Sequence, residues 1–149
     1  MTDFQILALP RELFEAEFAS AAATWLDVDA DPGYPCRVSL QDARVGERVL
    51  ALSYLHHDVD SPYRATGPIF VREQALTRVT DKNEIPRMLE HRQLSLRGYD
   101  ANAMMIAATV THGSELRSAI QEMFADSAVD YLHVHNAGPG CFNCAVKRA

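Results

Sequence analysis

Short apolar segments separated by turn-forming residues make up most of this chain, and few of them are followed by a stretch with helical periodicity. A strand that returns parallel to its neighbour needs a long crossover, usually a helix, whereas antiparallel strands need only a turn. The sequence therefore predicts a mainly antiparallel sheet that ends in a β-hairpin. The predicted strands are Phe4–Leu9, Glu47–His57, Gly67–Glu73, two strands within Leu94–Val110 joined at Asp100–Asn102, and the hairpin strands Val129–His135 and Cys141–Arg148.

Helical periodicity is confined to three stretches. Proline suits the first turn of a helix, and Ser114 is a favourable N-cap residue. The predicted helices are one that starts at Pro10 and aligns Phe14, Phe18, Ala21, Ala22 and Trp25, a short one over Ile85–Arg92 that Pro86 opens, and one after Ser114 with a stripe of Leu116, Ile120, Met123 and Phe124.

No repeat, linker or shift in composition divides the 149 residues, of which 48% are hydrophobic. A chain of this size and composition can bury one core of its own. We therefore expect a single α+β domain over residues 1–149, packed by two or three helices.

The charge balance of 14 Lys and Arg against 20 Asp and Glu gives a formal net charge of -6. An acidic chain is not attracted to phosphate backbones or anionic lipids, so we expect neither nucleic acid nor a membrane as a partner. The N-terminal residues lack the basic and apolar pattern of a signal peptide. Three cysteines are a small and odd number, which does not fit a disulfide scaffold. We expect a cytoplasmic protein with reduced thiols.

The C-terminal hairpin sorts polar from apolar side chains. Because side chains alternate along a strand, Tyr131, His133 and His135 share one face, and the residues between them point to the other. A five-residue loop would pair His135 with Cys141, which places Cys141 beside the histidines and Cys144 among the apolar residues. A Cys-x-x-Cys pair without a second ligand pair is a weak zinc signal, so Cys144 is interpreted as a small core residue.

Two histidines on one strand face can converge on one divalent transition metal ion or on one substrate. A metal site needs a third ligand, for which the candidates are His56, Cys141 and Asp100; His133, His135 and His56 form the predicted metal set. His133, His135 and Cys141 are the predicted catalytic residues. The alternative is that one histidine is a hydrogen-bonded structural residue and the other lies in solvent.

Several arginines lie in apolar or turn-rich segments rather than on charged helical faces, and a guanidinium fork matches a carboxylate or phosphate. These side chains, with a tyrosine in a neighbouring turn, are the candidate anion-binding residues; the alternative is that the arginines form structural ion pairs. The set is Arg37, Arg64, Arg72, Arg97 and Tyr63.

Long motifs extend over nearly the whole chain: Pro32-Gly33-Tyr34-Pro35-Cys36-Arg37, Ser61-Pro62-Tyr63-Arg64 with Gly67-Pro68-Ile69-Phe70, Arg97-Gly98-Tyr99-Asp100, and His133-Val134-His135-Asn136 with Pro139-Gly140-Cys141-Phe142. Together they resemble a bacterial family catalogued as domain of unknown function 1203. The resemblance implies a bacterial protein and transfers no activity, cofactor or catalytic residue.

Two function classes follow from the residues. The leading hypothesis is an enzyme that acts on a small anionic molecule, either with a metal held by the histidines or with Cys141 as a thiol nucleophile. The alternative is a non-catalytic module that binds a ligand or a protein. A homodimer is compatible with an antiparallel sheet that has edges to protect.

Overall fold

Two antiparallel sheets carry the fold in a computed structural model that describes residues 1–149. The larger sheet has the strand order β1-β8-β7-β5-β6, and the smaller has the order β2-β3-β4. This confirms the predicted α+β class with mainly antiparallel strands. The strands are β1 (Phe4–Leu7), β2 (Thr24–Asp27), β3 (Arg48–His57), β4 (Ala65–Arg72), β5 (Gln93–Tyr99), β6 (Met105–His112), β7 (Tyr131–Asn136) and β8 (Phe142–Arg148), and the helices are α1 (Glu15–Ala19), α2 (Arg87–Glu90) and α3 (Leu116–Phe124).

Helices α2 and α3 cover one face of the larger sheet. The alternation in β7 sends Leu132 and Val134 to this face, where both are fully buried against the apolar stripe of α3. This core is built from 16 buried residues, and it joins the larger sheet to the helices. None of the helices combines the length and the apolar composition that a transmembrane helix requires.

The opposite face of the larger sheet is polar and aromatic, and the end of β3 packs against it. Tyr131, His133 and His135 lie on this face of β7, and strand pairing sets Arg97 of β5 opposite His133. The smaller sheet therefore covers the histidines with its own His56 and His57.

The N-terminal helix is much shorter than predicted. A 3-10 turn over Arg11–Phe14 and helix α1 end at Ala19, and Trp25 lies in strand β2 rather than on a helix. The aromatic and β-branched run that starts at Thr24 forms a ladder with β3, and that pairing outweighs its helical spacing.

The register of the hairpin also differs from the prediction. His135 pairs with Phe142 rather than Cys141, and Val134 pairs with Cys144, with a bulge between these two pairs. Before the bulge the register is displaced by two residues, which leaves His133 and His135 on one face. The bulge places Cys141 outside β8, in the turn.

Ser114 does not cap α3 as predicted: the helix has Glu115 at its N-cap without a side-chain hydrogen bond, and the cap lies one turn earlier, at His112. The ring of His112 accepts the backbone N–H of Ser114, and a 3-10 turn over Gly113–Glu115 precedes the helix. Gly113 packs so closely on the backbone of Leu89 that a Cβ there would overlap its carbonyl group.

Candidate metal centre

Three histidines from two sheets meet on the polar face of β7. His133 and His135 are two residues apart on β7, and His56 approaches them from the end of β3, with its ring centroid 5.1 Å from that of His135. Each side chain offers a ring nitrogen, and these nitrogens lie within 4.8 Å of one another. We call these three residues the histidine cluster.

A β-bulge brings β3 into the cluster. Neighbouring residues on a strand normally face opposite sides, but the pairing of β3 with β4 shifts between Leu55 and His57. As a result both histidine rings of this segment contact His133, with centroids 6.2 Å away for His56 and 4.9 Å for His57.

Each member of the histidine cluster has a buried ring nitrogen without a hydrogen-bond partner: Nδ1 of His56, Nδ1 of His133 and Nε2 of His135. For His135 the other nitrogen settles the tautomer. Its Nδ1 lies 2.9 Å from the carbonyl oxygen of Gly140, and since a carbonyl can only accept, Nδ1 carries the hydrogen. Nε2 of His135 is therefore left with a buried, unused lone pair.

The cluster is uncharged at neutral pH. Burial, with a smaller contribution from the neighbouring histidines and Arg97, lowers the pKa of His133 to about 3 and those of His56 and His135 to about 4. A neutral imidazole is the form that binds a metal.

His57 lies beside the cluster but has both ring nitrogens occupied. Its Nδ1 donates to the carbonyl oxygen of Tyr63 at 2.8 Å, so its Nε2 accepts the hydroxyl of Tyr131 at 2.6 Å. His57 is therefore a structural residue that joins β3, the turn before β4 and β7.

Arg97 is the cationic residue of the site. It lies opposite His133 on the neighbouring strand, its Nε donates to Ser95 Oγ at 3.3 Å, and it pairs with no carboxylate. The next residue outward, Ala108 of edge strand β6, is exposed. Arg97 thus presents an unneutralised charge where the face of the sheet opens to solvent.

The other candidate anion-binding residues lie elsewhere or are already engaged. Arg64 pairs with Asp58 in solvent, and Arg72 makes a two-bond pair with Glu47. Arg64 and Arg72 therefore form structural ion pairs, which is the alternative that the sequence left open for them. Tyr63 contributes its carbonyl to His57 and packs its ring against Tyr99.

Arg37 is 1% exposed and donates to two backbone carbonyls, those of Phe142 and Pro35. Cys141 lies in the hairpin turn, where its Sγ accepts the side-chain amide of Asn136 at 3.2 Å. Asp100 accepts two backbone N–H groups of its own turn. None of the three belongs to the histidine cluster.

Aromatic residues that sequence reasoning missed enclose the cluster. Phe142 stacks on His56 with an interplanar angle of 8°, and Tyr99 stacks on Tyr131 next to His133. Tyr99 had a usable signal, because the strand alternation that places Arg97 on the polar face also places Tyr99 there. No sequence signal identified Phe142, because the bulge in β8 determines which face of the sheet its side chain is on.

A separate cavity of about 450 Å³ lies between Asp42, Glu84 and His91, and contains no member of the cluster. Most of its charged groups are paired: Asp42 accepts hydrogen bonds from Arg92 and contacts His91 at 2.9 Å, and Arg78 pairs with Glu84. We base the functional site on the histidine cluster, because each of its three members has a buried ring nitrogen without a partner.

A family model for proteins of unknown function, DUF1203, matches residues 33–148, which include all three cluster histidines. The chain belongs to this DUF1203 family. No curated protein and no solved structure matches the chain. The arrangement of side chains in this structure is therefore the basis for assigning a function.

Proposed function

We propose that the histidine cluster binds one divalent transition metal ion and that this site acts on a small anionic molecule. The observation that carries the proposal is the convergence of three histidines, each of which offers a ring nitrogen within 4.8 Å of those of the other two and keeps one buried ring nitrogen without a hydrogen-bond partner. Leaving a buried polar atom unpaired costs about 1–3 kcal/mol, and a metal ion that accepts these lone pairs removes that cost.

The spacing and the donor type fit this ion. Ligands about 2.1 Å from a tetrahedral zinc ion lie about 3.4 Å apart, so small rotations of the rings close the cluster around one ion. Imidazole suits zinc, copper, iron and nickel, and the contact of His135 Nδ1 with Gly140 is the usual outer partner of a metal-bound histidine.

Three neutral ligands leave the full charge of the ion for chemistry. Such an ion activates water or polarises a carbonyl or phosphoryl group, and catalytic zinc sites use three protein ligands with one open position. Arg97 adds a fixed positive charge, and no carboxylate pairs with it. The electrostatic field of the site therefore selects an anion, which Arg97 would hold by two hydrogen bonds.

Metal binding is tested on protein purified without a histidine tag and analysed for metals after dialysis against zinc or cobalt. We expect one ion per chain, lost in His133→Ala and His135→Ala and retained in the matched control His112→Ala, because His112 only caps a turn. A metal-free wild type, or equal loss in the control, would overturn the proposal.

The role of Arg97 is tested on the cobalt form, whose visible spectrum reports ligands of the ion. Phosphate or acetate should shift the spectrum of the wild type, and Arg97→Met should weaken this response about tenfold or more while cobalt remains bound. A metal site with no response to any anion would instead favour the non-catalytic binding module.

The proposal assigns the protein to the bacterial cytoplasm, where thiols stay reduced, and three unpaired cysteines support this. Dimerisation remains a prediction. Edge strands β1 and β6 are the surfaces on which two copies would pair, and light scattering of purified protein measures it.

A further inference from the structure

The two sheets have four edge strands, and both edges of the smaller sheet are protected against pairing with another chain. An edge strand presents unpaired backbone N–H and C=O groups, and proteins protect it by keeping it short, by placing proline or charged residues in it, or by covering it. Strand β2 is four residues long and ends in Asp27. Strand β4 contains Pro68, and its outer side forms a bridge between Phe70 and Cys36.

The two edges of the larger sheet differ from each other. Strand β1 is four residues long, and residues 79–83 cover its outer side. Leu7 forms a bridge with Val79, and Asn83 exchanges two hydrogen bonds with the backbone of Phe4 through its own N–H and its Oδ1. A second chain therefore finds little free backbone on β1, and β6 is the open edge of this sheet.

Strand β6 has none of these protections over most of its length. It is eight residues long, Met105–His112, and contains no Asp, Glu, Lys, Arg or proline. The bulge in its pairing with β5 lies at its first residues, and the ladder is regular from Ala107 onward. No other segment forms a bridge with its outer side. Its large apolar side chains are exposed, with Ile106 44% and Val110 60% accessible to solvent.

The order of side chains in β6 fits a second copy of β6 that runs in the opposite direction. In Ile106-Ala107-Ala108-Thr109-Val110, the two exposed β-branched apolar residues stand two positions before and two positions after Ala108. A two-fold axis at Ala108 sets Ile106 of each copy opposite Val110 of the other. Facing β-branched apolar residues stabilise an antiparallel pair, and no like charges meet because the strand carries no charged side chain. The strand is therefore complementary to itself.

We propose that the protein is a homodimer in which β6 pairs antiparallel with β6 of a second copy, around a two-fold axis at Ala108. The two larger sheets then form one continuous sheet. Arg97 pairs with Ala108 in the register of β5 and β6, so each Arg97 lies next to the axis. Three strand spacings separate the two Arg97 residues, which are therefore about 14 Å apart on one face. The histidine clusters of both copies open onto this shared surface.

The oligomeric state tests the proposal, measured by sedimentation of the full chain in EDTA from micromolar to several hundred micromolar concentration. We expect the wild type to be a dimer at the upper end of this range. Val110→Lys places an ammonium group at the interface and should raise the dissociation constant about tenfold or more. The matched control Val45→Lys changes an exposed valine in the turn before β3 and should dimerise like the wild type.

Two results of this measurement would overturn the proposal. A wild type that is monomeric at every concentration would leave the open edge to an extended segment of another protein. A dimer that Val110→Lys and Val45→Lys affect equally would mean that the two copies meet through another surface.

Engineered cysteines test the register. Residues directly opposite each other in an antiparallel pair have Cα atoms about 4.5–5.5 Å apart, which is within reach of a disulfide. Mild oxidation should therefore link Ala108→Cys to its own counterpart. Val110→Cys is the matched control, because its counterpart lies four residues, about 13 Å, further along the facing strand. Absence of a link at Ala108, or equal linking of the two variants, would contradict the proposed axis.

The dimer does not depend on the metal proposal. Neither Val110 nor Ala108 is a member of the histidine cluster, so dimerisation should be the same in zinc-loaded and EDTA-treated protein. A dimer that binds no metal would support this inference and contradict the proposed function, whereas a monomer that binds one ion would do the reverse.

Discussion

Replacing His133 with leucine should stabilise the metal-free protein, although the residue lies in the interior. His133 is 5% exposed, makes no hydrogen bond, and keeps its Nδ1 buried without a partner. Removing such an atom recovers about 1–3 kcal/mol of desolvation cost. Repacking leucine into a similar volume costs less than about 1.5 kcal/mol, which is subtracted from this gain. We expect a net gain of about 1 kcal/mol, or about 2–4 °C in Tm for a chain of this size.

The matched control is His57→Leu, in a ring that contacts His133 at a centroid distance of 4.9 Å. Both nitrogens of His57 are bonded, so its removal leaves the Tyr131 hydroxyl and the Tyr63 carbonyl without their partner. Two such losses cost about 2 kcal/mol or more. The two variants should therefore differ by about 3 kcal/mol, with opposite signs relative to wild type.

Urea unfolding in EDTA measures both values, and zinc adds a second readout. At a zinc concentration 100 times the Kd, binding should stabilise the wild type and His57→Leu by about 2.7 kcal/mol and leave His133→Leu unchanged. Equal destabilisation of both variants in EDTA would refute the reasoning, because it would mean that His133 is as well satisfied as His57.

Three further outcomes are expected. The buried His133 and His135 have folded-state pKa values of about 3 and 4, below the unfolded value of about 6.5, so the unfolded chain binds more protons between these limits. The free energy of unfolding measured in urea should therefore fall as the pH is lowered from 6.5 to 4.5, by up to about 1.4 kcal/mol per pH unit for each of the two histidines. Gly113→Ala should lose about 3 kcal/mol or more in urea unfolding because its Cβ overlaps the Leu89 carbonyl, whereas Gly67→Ala, whose Cβ meets nothing within 4 Å, should change stability by less than about 0.5 kcal/mol. Arg64→Ala should change thermal stability by less than about 1 kcal/mol, because the pair with Asp58 lies in solvent.

Strand alternation was enough to predict two of the three members of the histidine cluster. The period of two places His133 and His135 on one face in any register that keeps Leu132 and Val134 in the core. The error of two residues in the hairpin register therefore left the histidines in place. It did displace Cys141, because the bulge after Val134 moves that residue from the ladder into the turn.

Long-range packing explains what the sequence could not predict. His56 was named as a candidate third ligand, but nothing local to the sequence separates it from His57, because the choice depends on the bulge at the end of β3 and on which ring meets Tyr131. Both are properties of how the two sheets pack, and no local pattern contains them. Long-range pairing also determines the structure at Trp25. Its spacing predicts a helix, but it pairs with a strand that starts more than 20 residues later and therefore lies in β2.

The contrast between His56 and His57 links stability to function. Both come from the same end of β3, yet hydrogen bonds from other elements satisfy His57 completely, while His56 and its two partners on β7 keep unused nitrogens in a desolvated place. A fold that needed these three rings only for packing would be more stable with apolar side chains in their positions. The instability that they add in the absence of an ion is the free energy that a bound ion recovers, and this makes metal binding and the gain from His133→Leu two consequences of one arrangement.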